Sequence, residues 1–243
     1  MKKFEIQLCL LGYQRHLDKI KKLQKYRSKL FHIIGCIEIR QLPPSDLDWA
    51  YSDNIICNLL SANNVDNSDV DLCLCFIDHP IEDNYFMRDL SQFDSKTVLC
   101  SFFQTEDIFA AKNVDLFNYV HGIVLNNLVQ IATLHEVDEK HFLHDDTRNC
   151  LFDMCGIKED VAIKYSAPKL CTSCISKIES SAVDKNFLPL LNREFKSFKK
   201  MLFYRILDFI KQRPILAIVV TSIFTIVINV MSSFIYELIR AMI

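Results

Sequence analysis

The sequence predicts an α/β fold, in which helices flank a mostly parallel sheet and one apolar helix follows near the C-terminal end. Short apolar runs of strand character alternate with segments of helical spacing, and this alternation is typical of parallel sheets with right-handed crossovers. Of the 243 residues, 50% are hydrophobic and 11% aromatic, which is enough to bury a core and excludes disorder. Only 4 residues are glycine, which excludes collagen-like and glycine-rich proteins.

The predicted elements alternate along the first half of the chain. Pro43 and Pro44 end the second strand, because proline has no backbone N–H to donate. Thr105 and Glu106 can cap a short helix. The most convincing helix, 116–134, is apolar on most faces, which predicts a central position. Predicted strands cover 4–12, 31–41, 71–78 and 96–103, and predicted helices cover 15–30, about 46–63, 105–111 and 116–134.

The distribution of charge divides the chain into unlike parts. Residues 1–192 carry 20 basic and 27 acidic side chains, whereas 193–213 carry seven basic and two acidic. An acidic main part excludes nucleic-acid binding as its principal function. The basic segment 15–30 is an exception, and it either meets anionic lipid or a nucleotide or is a solvated helix face.

An uncharged run from Pro214 to Tyr236 predicts a transmembrane helix. Its 23 residues would span about 34 Å as a helix, enough to cross a hydrocarbon core of about 30 Å. Seven basic residues precede the run and only Arg240 follows it, so the positive-inside rule places residues 1–213 in the cytoplasm. We expect a tail-anchored, single-pass protein of the inner (plasma) membrane.

Two features near this run leave alternatives open. Asn229 is an amide within the apolar run, which favours a homo-oligomer formed through the helix, or else a tolerated polar residue. The preceding segment 187–213 has apolar residues at helical spacing with basic residues between them. It is either an amphipathic helix on anionic lipid or a continuation of the membrane helix.

The ten cysteines fall into two groups. Six lie in apolar segments of strand character, where a reduced thiol behaves as a small buried hydrophobe. The other four occur as two closely spaced pairs in polar segments. They predict a structural zinc site, because four soft thiolates complete a tetrahedral set of ligands. His144 can replace one sulfur, and Cys155 is the least secure ligand because its spacing is looser. A redox role for the CxxC pair is a minor alternative. The predicted zinc ligands are Cys150, Cys155, Cys171, Cys174 and His144.

These signals divide the chain into four parts. The acidic residues beside the cysteines either contact the metal ligands and hold them in place or form a solvated loop. The acidic residues in question are Asp145, Asp146 and Asp153. The predicted parts are an α/β domain at 1–134, a His/Cys-rich zinc lobe at 135–178, a basic juxtamembrane helix at 187–213 and a transmembrane helix at 214–236.

The element order, together with the Cys-x4-Cys and distant CxxC spacing, resembles the archaemetzincin-like metallopeptidases. The segment HDDTRNCLFDMC at 144–155 also resembles an uncharacterised bacterial group. The resemblance covers roughly residues 1–178. It implies a helix carrying the catalytic zinc motif HExxHxxGxxH and a downstream four-cysteine structural zinc site. The corresponding helix departs from that motif, since Gly122 follows His121 and Leu125 stands where a second histidine should be. The resemblance therefore implies a degenerate member without catalytic residues.

Two functions from different classes follow. The first is a non-catalytic, zinc-stapled cytoplasmic domain that binds or senses an unknown protein or small ligand at the inner membrane face. Its architecture is analogous to membrane effectors of bacterial antiviral defence. The alternative is a membrane-tethered zinc hydrolase that uses an unusual set of residues in place of HExxH. The residues of that set are His135, Glu136, His141 and His144.

Overall fold

The computed structural model describes residues 2–145, 149–198, 210 and 213–242, which separate into two compact units, 1–199 and 200–243. Five strands and eight of the described helices lie in the first unit. The strands are β1 (Phe4–Leu11), β2 (Phe31–Ile39), β3 (Leu72–Ile77), β4 (Met87–Asp89) and β5 (Thr97–Ser101). The helices are α1 (Leu17–Gln24), α2 (Asp53–Ala62), α3 (Thr105–Ala111), α4 (Leu116–Leu134), α5 (Glu139–Phe142), α6 (Asp160–Lys164), α7 (Thr172–Glu179), α8 (Phe187–Phe195) and, in the second unit, α9 (Pro214–Met242).

The five strands form one sheet in the order β2-β1-β3-β5-β4. The pairs β1–β2, β1–β3 and β3–β5 are parallel, which confirms the predicted mostly parallel sheet. All six residues of β3 are buried, because a central parallel strand is covered on both faces. The edge strand β2 instead alternates between partly buried and exposed positions. This alternation leaves Cys36 exposed, so the prediction that the first six cysteines are buried is wrong there, and Cys57 is only half-buried.

Side-chain alternation along β1 gives the sheet two different faces. Ile6, Leu8 and Leu10 belong to the larger core, which α1, α3, α4 and α8 also line. Cys9 and Leu11 belong to a smaller core shared with α2. The long helix α4 is buried over residues 116–131, as its apolar sequence predicts.

The sequence did not predict β4, which is the edge strand beyond β5 and pairs with it in the antiparallel sense. It contains only three residues, two of them charged, so it lacks the alternation by which strands are recognised. Its position at the edge matters, because an edge strand has one side of its backbone unpaired within the sheet.

Two predicted helix boundaries and one predicted helix cap are corrected. The first helix ends at Gln24 rather than near residue 30, since the Ser28 hydroxyl accepts the backbone N–H groups of Leu30 and Phe31 and turns the chain into β2. The second begins at Asp53 rather than Asp46, where the Ser52 side chain caps it by accepting the Ile55 N–H. The third is preceded by Gln104 in the left-handed conformation, not capped by Thr105. The Thr105 hydroxyl donates back to the Phe102 carbonyl.

Helix α8 covers the first part of the predicted juxtamembrane segment. Its inward residues Phe187, Leu191 and Glu194 are buried, so this part belongs to the globular unit. The prediction for residues 199–209, 211 and 212 lies outside the described residues. In the second unit, the stretch Pro214–Ser232 of α9 is long and apolar enough to cross a membrane, and its described side chains are exposed.

Candidate metal centre and cleft

The structure brings together one histidine and three cysteines from a segment that carries little regular structure. Cys150 is held by short strand-like pairing, since Leu151 N–H donates to the Lys169 carbonyl at 2.8 Å. Two residues after Lys169, Cys171 forms the N-cap of α7, and Cys174 lies in its first turn. His144 completes the set, and one ligand atom from each of the four lies within 4.8 Å of the others.

The spacing of these atoms fits a tetrahedral zinc ion. With Zn–S bonds of about 2.3 Å and a Zn–N bond of about 2.0–2.1 Å, tetrahedral geometry places sulfurs about 3.8 Å apart and a sulfur about 3.5 Å from a nitrogen. The Sγ atoms of Cys150 and Cys174 are 3.8 Å apart. The Sγ of Cys171 is 3.5 Å from His144 Nε2. Four protein donors of this kind match a closed zinc site.

Backbone contacts fix the orientation of each donor. The other ring nitrogen of His144, Nδ1, lies 2.7 Å from the Asp145 carbonyl oxygen. Because a carbonyl only accepts, Nδ1 carries the proton and Nε2 presents its lone pair to the thiols. The N–H of Cys174 donates to Cys171 Sγ at 3.5 Å, and the N–H of Cys171 donates to Cys150 Sγ at 3.4 Å. These donors, and the N-terminus of α7, favour thiolates.

The electrostatics of the thiol pair agree with this geometry. The hydrogen bond from the Cys174 thiol, aided by backbone N–H groups, lowers the pKa of Cys150 to about 5. The same hydrogen bond and burial raise the pKa of Cys174 well above its ordinary value. The pair therefore shares one proton, which a bound cation would displace.

The structure separates the remaining predicted residues of this lobe. Cys155 lies outside the group, and its Sγ is 3.8 Å from the Asp153 carbonyl oxygen. The Asp153 carboxylate accepts the Cys150 N–H at 2.9 Å and lies 3.6 Å from His144 Nδ1. Asp153 thus contacts both Cys150 and His144, whereas Asp146 is not among the described residues.

The residues of the alternative hydrolase set do not meet. His135 ends α4 in the left-handed conformation, and both His135 and Glu136 are exposed. The exposed residue His141 lies on α5, and His144 faces the thiols. Among the side chains that the structure describes, the His144 group is the set of three or more metal-ligating residues that converges.

Helix α4 is packed where the resemblance would place catalysis. A Cβ built at Gly122 would lie 2.2 Å from Cδ1 of Tyr165, so the tyrosine ring occupies the space of any side chain there. His121 is 2% exposed and stacks on Phe198 at 4.8 Å between ring centroids. A glycine inside an apolar helix is a signal of such close packing.

The neighbour of His121 is a buried carboxylate that the sequence did not single out. Glu194 Oε2 lies 3.3 Å from His121 Nε2, and the hydroxyls of Ser28 and Tyr26 donate to Glu194 at 2.6 and 2.9 Å. Burial alone would raise the pKa of Glu194, but His121 and the two hydroxyls outweigh it and lower the pKa. The sequence placed Glu194 in the basic segment 187–213, and only the docking of α8 shows its burial.

A cleft of about 670 Å³ runs along the outer edge of β4. Residues 85–92 form one wall, and residues 152–156 beside the metal group form part of the other. Asn126 and Gln130, one turn apart on α4, line it between them. Gln130 donates to Asn126 Oδ1 at 2.8 Å, but its buried Oε1 has no hydrogen-bond donor among the described residues.

No protein-family model and no curated protein matches the sequence. Among solved structures, the chain is similar to archaemetzincin from Methanopyrus kandleri, with 15% identity and a TM-score of 0.45 over 79% of this chain and 96% of that one. It is also similar to archaemetzincin from Archaeoglobus fulgidus in complex with malonate, with 16% identity and a TM-score of 0.43 over 71% and 99%. Both are archaemetzincins, the family that the sequence resembles.

Proposed function

We propose that this protein is a membrane-anchored, zinc-stapled domain that binds an extended peptide segment in the β4 cleft and does not cleave it. The observation that carries the proposal is the cleft itself, which combines amide side chains with an edge strand whose outer side pairs with no other described strand. Zinc held by His144, Cys150, Cys171 and Cys174 would have a structural role, because four protein ligands leave no position for a water molecule or substrate.

The open edge of β4 suits a peptide that adds a strand. The main chains of Phe86 and Leu90 bond to β5 at 3.0 and 2.9 Å. By the alternation of an antiparallel pair, Arg88 also faces β5, while the N–H and C=O groups of Met87 and Asp89 point outward. Main-chain bonds to such an edge supply affinity, and the pockets beside it supply specificity.

The amide residues support binding without catalysis. Buried Gln130 Oε1 lacks a donor among the described residues, and an unsatisfied buried acceptor costs about 1–3 kcal/mol. Because Gln130 is 0% exposed, a peptide N–H would relieve that cost once the amide turns toward the cleft. Amides neither transfer protons near neutral pH nor hold zinc as imidazoles do, so these two side chains offer recognition rather than hydrolysis.

The location follows from charge and the α9 helix. The apolar stretch of α9 would span the inner membrane once, and the basic residues before it would keep the N-terminal domain on the cytoplasmic side. Homo-oligomer formation through this helix, and a role as an effector of bacterial antiviral defence, stay predictions.

Phage-displayed random peptides selected on the full chain in detergent micelles test the proposal. Selected peptides should bind the wild type at micromolar or better dissociation constants and should be recovered uncut by mass spectrometry. The Asp89→Pro variant should lose at least tenfold in affinity, because proline removes an outward N–H and leaves the ladder to β5 intact.

The matched control is Asp89→Ala, which removes the same carboxylate and keeps the N–H. It should bind like the wild type. Equal binding by the proline variant, with zinc content and circular dichroism unchanged, would place the peptide elsewhere, and zinc-dependent cleavage would establish the hydrolase instead.

A further inference from the structure

The surface around α1 concentrates positive charge on an otherwise acidic domain. Residues 15–29 contain seven of the 20 basic residues found in 1–192 and only one acidic residue, Asp18. The other 177 residues of that part carry 13 basic and 26 acidic side chains. The basic residues are Arg15, Lys19, Lys21, Lys22, Lys25, Arg27 and Lys29.

Part of this charge is neutralised locally, and most is not. Lys19 pairs with Asp18 at 2.9 Å, and Lys22 lies 3.4 Å from Asp115 and over the Phe117 ring. The exposed residues Lys21 and Lys25, like Arg27 and Lys29, have no carboxylate within 4.0 Å among the described residues. Four cations that share one surface without counter-charges repel each other, and an external anionic surface would relieve that repulsion.

These cations surround a surface groove of about 610 Å³, called here the α1 groove. It is lined by Asp18, Lys21, Lys22, Lys25, Tyr26 and Arg27. Tyr26 forms an apolar wall between lysine stems, and its hydroxyl leaves the groove to donate to Glu194 on α8. A groove with flexible cations around a partly buried ring suits headgroup phosphates and the glycerol region beneath them.

The chain leaves the globular unit beside this groove. Tyr26 touches Glu194 on α8, and Phe198, which follows α8, stacks on His121. The 15 residues between Phe198 and Pro214 extend to no more than roughly 55 Å. The segment contains Lys199, Lys200, Arg205, Lys211 and Arg213. A chain anchored at Pro214 therefore keeps the groove within reach of the bilayer surface.

We infer that the α1 groove docks the globular unit onto anionic phospholipid headgroups at the face of the membrane that holds the anchor. This rests on the membrane anchor of the proposed function and adds the orientation of the domain. Docking would be electrostatic, so it weakens as salt screens the charges. Each basic side chain near an anionic surface changes the equilibrium constant for docking roughly fivefold.

The test is amine-reactive labelling of the full chain in nanodiscs, read by mass spectrometry for each lysine. In discs that contain phosphatidylserine, labelling of Lys21 and Lys25 should fall several-fold relative to pure phosphatidylcholine. High salt should restore it. The exposed residues Lys112 and Lys185 are internal controls and should label equally in both lipids.

A charge-reversal pair sharpens the test. In the Lys21→Glu/Lys25→Glu variant, Lys22 and Lys29 should be labelled to the same extent in both lipids. The Lys112→Glu/Lys185→Glu variant, with the same change in net charge, should retain the protection of Lys21 and Lys25. Loss of protection in both variants would indicate a net-charge effect and overturn the groove.

The remaining outcomes separate the two proposals. A chain that enters discs of both compositions with equal labelling overturns the docking alone. A chain that enters neither overturns the anchor together with the docking. Protection of Lys21 and Lys25 in phosphatidylcholine discs by added duplex DNA, without protection by phosphatidylserine, would make the groove a nucleic-acid site and overturn the lipid assignment.

Discussion

Two histidines of this protein lie in polar clusters with opposite chemistry. His144 presents a lone pair to three thiols, and every member of that cluster is a donor to a cation. His121 faces Glu194, whose oxygens also accept the hydroxyls of Tyr26 and Ser28, so this cluster contains both hydrogen-bond donors and an acceptor of its own. The comparison teaches that a set made only of electron-pair donors indicates a bound cation, whereas a set that combines donors with an acceptor is held together within the protein.

The largest effect should come from breaking the cluster of His144 and the three thiols. Cys174→Ser should reduce zinc from one per chain to none and destabilise the unit by about 4 kcal/mol or more, because loss of a structural metal is among the costliest changes. Elemental analysis and thermal unfolding of the purified full chain measure both. Cys155→Ser is the matched control and should keep its zinc. Loss of zinc in that control would return Cys155 to the ligand set.

Breaking the cluster of His121 and Glu194 should cost somewhat less stability and should leave the zinc content unchanged. Glu194→Ala removes the acceptor of two hydroxyls beside His121, and leaving those donors unsatisfied should cost about 2–4 kcal/mol in denaturant unfolding. The exposed residue Glu179, also near a helix end, provides the control, and Glu179→Ala should stay within about 0.5 kcal/mol of the wild type. A small effect of Glu194→Ala would mean that α8 is held by its apolar residues alone.

The same carboxylate predicts a pH dependence. Its pKa is lower in the folded protein than in the unfolded chain, where a glutamate has a pKa of about 4.3. Its contribution to stability is therefore fully present above that pH and is lost as pH falls through the folded pKa. Unfolding free energies measured from pH 7 downward should fall less steeply in Glu194→Gln. Parallel curves for wild type and variant would contradict the assignment.

A packing change next to His121 should have an intermediate effect. Gly122→Ala places a methyl group against the Tyr165 ring, and overpacking of this kind costs about 1–3 kcal/mol. Combining it with Tyr165→Leu should cost less than the sum of the two single changes, since the smaller side chain makes room. Additive costs in denaturant unfolding would show that the ring moves aside freely.

The smallest expected effect tests the second shell of the metal group. Asp153→Asn weakens the acceptor beside Cys150 N–H and His144, and it should lower zinc affinity about 10–100-fold while leaving the fold intact. Competition with a chromophoric chelator measures the affinity. Asp107→Asn, at an exposed position on α3, is the control and should not change it. Unchanged affinity in Asp153→Asn would limit Asp153 to a backbone contact.

Periodicity and composition determined the parts of this protein that local chemistry controls. The apolar strands and the bounds of α4 were predictable. A central strand is buried on both faces and a central helix on all sides, so each consists of consecutive apolar residues. The uncharged run from Pro214 was equally predictable, since length and composition alone decide that a helix can span a bilayer. The paired cysteines predicted a metal group by their spacing.

Tertiary structure decided what depends on residues far apart in sequence. Spacing left His144 and Cys155 as equal candidates, and only the convergence of Nε2 with the thiols separated them. Glu194 resembled part of a charged surface until α8 docked it against His121, 73 positions earlier in the chain. The short strand β4 carries no periodic signal, and its open edge exists only because β5 pairs with one side of it. Such features arise from long-range pairing, whose free energy depends on partners that no local pattern records.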